Sequence, residues 1–193
     1  MILVVGLGNP GKEYEKTRHN AGFLMLDYIL GKIEWGKSSK ANTFFYKNKI
    51  GKKEIEYLKP QTFMNNSGST VVYAQTKHKV KPENIIVIYD DLDIPVGNLK
   101  ISFNRSAGGH NGLASVIKKI KSEAFVRIRI GVSPHTPTGK IKKPKGEEAV
   151  LKFLLGAFKE DELKVLKKES KKVAEIIAMI ASEGHQKAMS VYN

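Results

Sequence analysis

His19, set in "TRHN" between Arg18 and Asn20, is the residue whose type most readily does chemistry. An imidazole titrates near neutral pH and can take a proton from water when another group holds its second nitrogen. A holding group is available in "YDDLDIPVG", residues 89–97, where Asp90, Asp91 and Asp93 follow an apolar run. Three acids there could orient a histidine, hold a divalent ion or cap a loop. A metal site calls for further acids or imidazoles at short spacing, and none stands out around Asp90. Carboxamides recur at similar places: Asn9 after an earlier apolar run, Asn65 and Asn66 in "QTFMNNSG", and Asn111 in "GGHNG". An amide side chain donates and accepts at once. Its plainer role at a helix start is that of a cap.

Gly6, Gly8 and Gly11 match the G-x-G-x-x-G spacing of dinucleotide-binding loops. Such a loop opens directly into a helix whose N–H groups receive a pyrophosphate. Here Pro10 has no N–H, and Lys12 to Arg18 carries no apolar helical face. The acid required further on would be Glu34, in "KIEWGKS", which does not have the pattern of a strand. "GGHNG" could offer N–H groups to a phosphate but lacks the G-K-[ST] of a P-loop. No G-x-S-x-G elbow marks a serine nucleophile. With no cysteine there is no thiolate and no disulfide framework. The expectation is chemistry with neither cofactor nor metal.

The elements that must position these residues alternate between strand and helix. Residues 2–5 and 84–89 have the uninterrupted apolar pattern of buried strands, 99–103 is a further strand, and 125–132 alternates as a strand should. Residues 43–59 form two strands around a Lys-Asn-Lys-Ile-Gly turn. Helices are predicted from near Asn20, over 67–79 with a cap at Asn66 or Ser67, over 112–121 and over 147–155. A long closing helix carries Leu163, Leu166, Val173, Ile177 and Ile180 on one face. The Pro/Gly/Lys segment 133–146 is expected to be a mobile loop. Absence of repeats and linkers predicts one α/β domain over 1–193, a twisted mixed sheet flanked by helices and closed by C-terminal helices. Asn9, His19, Asn65, Asp90 and Asn111 then all fall at strand ends or helix starts, where such sheets place their function.

The charge points to the partner. Thirty-three Lys and Arg against nineteen Asp and Glu give +14, and residues 100–145 alone hold eleven basic residues against Glu123, a net of +10. A block of this kind favours a polyanion, most simply nucleic acid. Aromatic residues, 8% of the chain, are too scattered for a base-stacking platform. No stretch approaches the roughly 18 apolar residues of a membrane span. Met1 leads straight into an apolar run without a basic stretch before it, so neither a signal peptide nor a membrane partner is expected. A cytoplasmic enzyme fits.

In combination and order these stretches resemble the bacterial peptidyl-tRNA hydrolase family: "GLGNPGxxYxxTRHNxG" at 6–22, "KPxTFMNxSG" at 59–68, "DDLDxPxG" at 90–97, "GGHNGL" at 108–113 and "RxRIG" at 127–131. The resemblance covers nearly the whole chain. It implies a monomeric hydrolase that cleaves the ester between a peptide, or an N-blocked aminoacyl group, and the 3′ ribose of tRNA, recycling tRNA during translation. It further implies that His19 is the general base, that Asp90 holds its imidazole, and that Asn9 positions the water or the developing oxyanion. Tyr14, Met64, Asn65 and Asn111 would then bind substrate, and Arg129 a tRNA phosphate. His110 would be a structural member of its turn. Ser102 stands where the family often carries a phosphate-binding lysine, a place that Arg105 or Lys100 could fill. Tyr89 replaces a frequent histidine and is expected to alter packing only. A non-catalytic RNA-binding relative would be expected to lose His19 or Asp90, and both are present.

Overall fold

A strand buried on both faces must be apolar at every position, and that is how β1 (Ile2–Gly6) and the first half of β5 (Ile85–Pro95) come to be central in the computed structural model, which describes residues 1–136, 138 and 140–193. They pair in parallel with each other, and β4 (Lys53–Pro60) and β7 (Val126–Ser133) extend the parallel set on either side. Antiparallel strands close both edges: β3 (Thr43–Ile50) and β2 (Gly36–Ser38) beyond β4, and β6 (Leu99–Phe103) beyond β7. The seven-stranded mixed sheet has the order β2-β3-β4-β1-β5-β7-β6.

Helices cover both faces. On one, α1 (Ala21–Leu30) and α5 (Glu160–Glu183) bury Met25, Leu26, Leu166 and Ile177 against Val4, Ile86, Ile88 and Ile128. On the other, α2 (Ser67–His78) and α3 (Asn111–Ile120) bury Val71, Leu113 and Val116 against Leu3, Val5 and Val87. α4 (Glu147–Leu155) precedes α5, and α6 (His185–Tyr192) follows it after Gly184, whose φ of 88° ends the long helix. Among the described residues no helix is long and apolar enough to cross a membrane.

Several boundaries depart from the sequence pattern. β5 runs on through Asp90, Asp91 and Asp93 to Pro95, because ladder bonds to β7 hold a segment whose acids alone look like a loop. The β3–β4 turn is tighter than predicted: Ile50 pairs with Lys53, leaving only Gly51 and Lys52 between them, with Gly51 at φ 57°. The short edge strand β2 has no apolar pattern and was not predicted. In the segment 133–146, His135 bridges to Ile141; the loop expectation also falls on Pro137 and Gly139, which lie outside the described residues.

Close packing accounts for Gly6 and Gly22 of the first motif. A Cβ on Gly22 would lie 2.3 Å from the Ile88 carbonyl oxygen, and one on Gly6 2.5 Å from that of Gly22. β1, α1 and β5 thus touch backbone to backbone. That contact sets the turn before α1 over the carboxyl ends of β1 and β5.

Candidate active site

Arg18–Asn20 is that turn, one coil of 3-10 helix, and all three residues are buried. Asn20 secures it to the end of β1: its Oδ1 accepts from the Asn9 N–H at 2.9 Å, and its Nδ2 donates to the Asn9 carbonyl at 2.9 Å. Arg18 secures it from outside. Its guanidinium donates to the Ala157 carbonyl at 2.9 Å and to Glu162 at 3.0 Å, and lies 4.4 Å from the Phe153 ring centroid. The junction of α4 and α5 is thereby fixed to the residue next to His19, a role for Arg18 that sequence reasoning did not find.

His19 Nδ1 lies 3.0 and 3.1 Å from the two Asp90 oxygens. His110 meets the same carboxylate, its Nε2 3.0 Å from Oδ1. The tautomer of His110 follows from its other nitrogen, because Nδ1 accepts the Leu113 N–H at 3.2 Å and so carries the lone pair. Nε2 therefore carries the proton and donates it to Asp90. Burial alone would push the Asp90 carboxyl up, but the charges of and hydrogen bonds from His19 and His110 outweigh it and hold the group well below the usual carboxylate range. An ionised Asp90 makes His19 Nδ1 a donor as well. The free lone pair of His19 is then on Nε2, for which the structure records no partner among the described residues. For His19 itself burial lowers the pKa, and the neighbouring Asp90 charge and hydrogen bond more than reverse it, leaving the imidazole raised above its ordinary value.

His110 thus does more than the turn-building role implied for it. It caps α3 and also braces the carboxylate that steers His19, and the two rings lie 5.0 Å apart. Spacing could not show this, since 20 residues separate His110 from Asp90 and 71 separate His19 from it. His110→Ala is therefore expected to slow turnover as well as loosen α3. A steady-state assay beside a thermal melt would separate the two, and loss of stability alone would return His110 to a purely structural role. No further acid or imidazole stands out around Asp90 at short sequence spacing, but the fold brings ligand-capable atoms of His19, Asp90 and His110 within 4.8 Å of one another. The nitrogens facing Asp90 carry protons, which a metal would first have to displace.

The three acids part company. Asp91 Oδ2 accepts from Arg129 Nε at 2.8 Å and its Oδ1 from the Asp93 N–H at 2.8 Å, while Asp93 pairs with Lys143. They form no common ion site. Tyr89 packs edge-on to His110, 4.8 Å between centroids, and its hydroxyl is pushed up to about 12, first by burial and then by Asp91.

Asn9 follows β1, and its Oδ1 accepts the Met64 N–H at 2.8 Å. The amide is thereby fixed with its oxygen inward, and Nδ2 remains as a donor. Met64 is buried, and a Cβ on Gly112 would lie 2.4 Å from its sulfur, so the 61–66 loop and the start of α3 pack together beside Asn9. Asn65 and Asn111, one residue beyond Met64 and His110, are exposed at two helix starts. Asn66 occupies the N-cap of α2 without a side-chain capping bond. Tyr14 is half-buried on a 3-10 turn between Asn9 and His19. Phe63, 62% exposed beside Asn65, is an apolar surface the sequence reading passed over.

The basic block is not all surface. Arg127 is 1% exposed and donates to the carbonyls of Glu123, Phe125 and Arg105, so it belongs to the interior. Arg129 is half-buried, and the β6–β7 register sets Lys100 directly opposite it, while Ser102 lies opposite Arg127. Arg105 is exposed beyond the far end of β6.

A buried carboxylate steering one imidazole at the carboxyl edge of a mixed α/β sheet, with a fixed carboxamide donor beside it, is the form of a general-base hydrolase. The chain belongs to the peptidyl-tRNA hydrolase family, whose model matches residues 3–193. It is 41% identical over 192 residues to the peptidyl-tRNA hydrolase of Aquifex aeolicus, covering 99% of this chain and 95% of that one. To the Clostridium botulinum enzyme it is 40% identical over 195 residues, covering 100% and 97%. The crystal structure of peptidyl-tRNA hydrolase from Acinetobacter baumannii superposes with a TM-score of 0.87 at 30% identity, covering 100% of this chain and 96% of that one.

Proposed function

We propose that this chain hydrolyses the ester between a peptide, or an N-blocked aminoacyl group, and the 3′ ribose of tRNA, with His19 Nε2 as general base. The observation that carries the proposal is the buried His19–Asp90 contact. Asp90 holds the ring by Nδ1, so Nε2 takes a proton from water as the water attacks the ester carbon. The carbonyl oxygen gains negative charge and the Asn9 Nδ2–H donates to it. The bond from the acyl carbon to the ribose oxygen then breaks, and the imidazolium returns the proton to that oxygen. An ester needs less activation than an amide, and one base with one or two amide donors suffices for it. Asn65 and Asn111 bind the peptide backbone, and Met64 and Tyr14 line the cleft.

Arg129 binds a tRNA phosphate through the guanidinium nitrogens that Asp91 leaves free, since Asp91 engages Nε. Its partner is Lys100, paired with it across the strands, in place of a lysine at Ser102. Arg105 lies past Phe103, which pairs with Val126, about 10 Å along β7 from Arg129 at roughly 3.3 Å per residue. It contributes to the wider basic field. The whole chain 1–193 acts as one catalytic domain, as a cytoplasmic monomer.

Release of free tRNA from N-acetyl-aminoacyl-tRNA by the purified chain tests the proposal, and absence of release under conditions where the RNA is bound would favour a non-catalytic RNA-binding role. Phosphate binding is tested by salt. Each contact contributes roughly 0.7–0.9 to the slope of log K against log[salt], so Arg129→Ala is expected to reduce the slope by about one contact. An unchanged slope would remove Arg129 from the phosphate site.

A further inference from the structure

The turn that carries His19 is held on its outer side by a charge that the proposed chemistry does not use. Arg18 is only 9% exposed, and its guanidinium faces the rings of Phe153 and Phe158, 4.4 and 5.5 Å from their centroids. Nη1 donates to two successive carbonyls, Gly156 at 3.3 Å and Ala157 at 2.9 Å, and Nη2 donates to Glu162 at 3.0 Å. The backbones join as well. The Arg18 N–H donates to the Gly156 carbonyl at 3.0 Å, the Phe158 N–H to that of Lys16 at 2.8 Å, and Thr17 bridges to Ala157. Glu162 is itself fixed, since it accepts the Lys159 N–H at 2.7 Å and so caps α5.

Stability alone does not call for an arginine here. Two aromatic rings flank the group, the pair with Glu162 is mostly withdrawn from water, and Nε is buried with no partner among the described residues. Taking a charged pair out of water is costly, and apolar residues of similar volume often replace one with no loss of stability. A buried donor without a partner adds to that cost. What the guanidinium supplies, and an apolar side chain cannot, is direction. Its planar fork fixes its own placement relative to two carbonyls and a carboxylate. Those groups belong to the α4–α5 junction, which is anchored in turn by the core residues Leu166 and Ile177 of α5.

The need for direction comes from the next residue. His19 belongs to the same single coil of 3-10 helix, and its Nδ1 must stay 3.0 and 3.1 Å from the two Asp90 oxygens. Asn20 ties the inner end of that coil to Asn9. Held there alone, the coil could pivot and carry the imidazole off the carboxylate. We infer that Arg18 is a positioning residue for the hydrolysis: by tying the outer end of the coil to the α4–α5 junction, it keeps the His19 ring aligned with Asp90. The inference rests on the hydrolase proposed above, in which that alignment makes His19 the base.

Arg18→Met combined with Glu162→Gln separates positioning from stability. Methionine fills the space beside the two rings, and glutamine keeps an acceptor for the α5 cap without leaving an unpaired carboxylate. The melting temperature is expected to stay near that of the wild type. On N-acetyl-aminoacyl-tRNA, kcat should fall roughly 10- to 100-fold, the scale of a catalytic group displaced by about 1 Å. KM should change little, because Arg129 and Lys100 are untouched. Arg18→Lys keeps a charge opposite Glu162 but not the fork, so its kcat should lie between the two; it carries the test alone if the double variant does not fold. In an Asp90→Asn background, where no carboxylate holds the ring, the same change should cost much less, as for residues that act through one group. Wild-type kcat in the variant that carries the test, a loss confined to KM, or losses that multiply in full with Asp90→Asn would each overturn the inference. Alignment can also be read without turnover, from the His19 Nδ1–H resonance of the chain labelled with nitrogen-15 histidine. It is expected to shift or to be lost to solvent exchange in the variant, and a resonance identical to that of the wild type would overturn the positioning role. A wild-type chain that hydrolyses nothing, with this resonance still moved by the variant, would count against the hydrolase and not against the hold of Arg18 on His19.

Discussion

Replacing His19 by alanine is expected to lower kcat by about 10²–10⁴-fold, the usual worth of a positioned general base, while tRNA affinity is largely kept. The separation follows from where the groups lie. His19 is buried against Asp90, whereas the Arg129–Lys100 pair is on strands β7 and β6. pH dependence carries the sign of the interaction. Only neutral His19 can accept a proton, so kcat should fall as pH drops through the pKa of His19, which Asp90 raises above its ordinary value near 6.5. In Asp90→Asn the influence that raises it is gone and burial remains, so the acid limb should move to lower pH beneath a lower plateau. An acid limb that stays in place would show that Asp90 does not act on His19. A His19→Ala enzyme with near-normal kcat would remove the base altogether.

The second large effect concerns Asn9. The Met64 N–H takes its Oδ1 at 2.8 Å, which turns Nδ2 outward as a fixed donor. Losing one preorganised oxyanion donor costs about 10²–10³-fold in kcat, and Asn9→Ala is expected to fall in that range with KM little changed. Asn9→Asp should recover nothing. The carboxylate can still accept from Met64 but has no N–H to give, and its charge opposes the oxyanion. A near-wild-type kcat for Asn9→Asp would show that the side chain is not the donor.

Parts of this architecture are legible in the chain and parts are not, for physical reasons. Ile2–Val5 and Ile85–Ile88 are apolar at every position because both faces of their strands are covered, so they stand out from sequence alone. Asp90–Pro95 does not, because acids favour loops and only the neighbouring β7 ladder makes the segment a strand. β2 lacks a pattern because an edge strand of three residues needs no buried face. The motifs point to the residues gathered at this edge and to the His19–Asp90 contact, but not to their other connections. The sharing of Asp90 by His19 and His110, and the bond from Met64 to Asn9 across 55 residues, depend on how the elements fold together. Net charge singles out residues 100–145, but composition could not reveal that Arg127 points inward while Lys100 stands opposite Arg129. Gly6 matches the first position of a cofactor loop because close backbone approach, here to Gly22, calls for the same residue in both settings.

The most direct test of a base steered by its carboxylate is a double-mutant cycle in kcat with His19→Ala, Asp90→Asn and the pair, on N-acetyl-aminoacyl-tRNA at a pH above the acid limb. Residues that act as one unit give strongly non-additive losses. Because Asp90 works through the imidazole, the double mutant should be little slower than His19→Ala alone; losses that multiply in full would show that the two residues act independently and would contradict the mechanism.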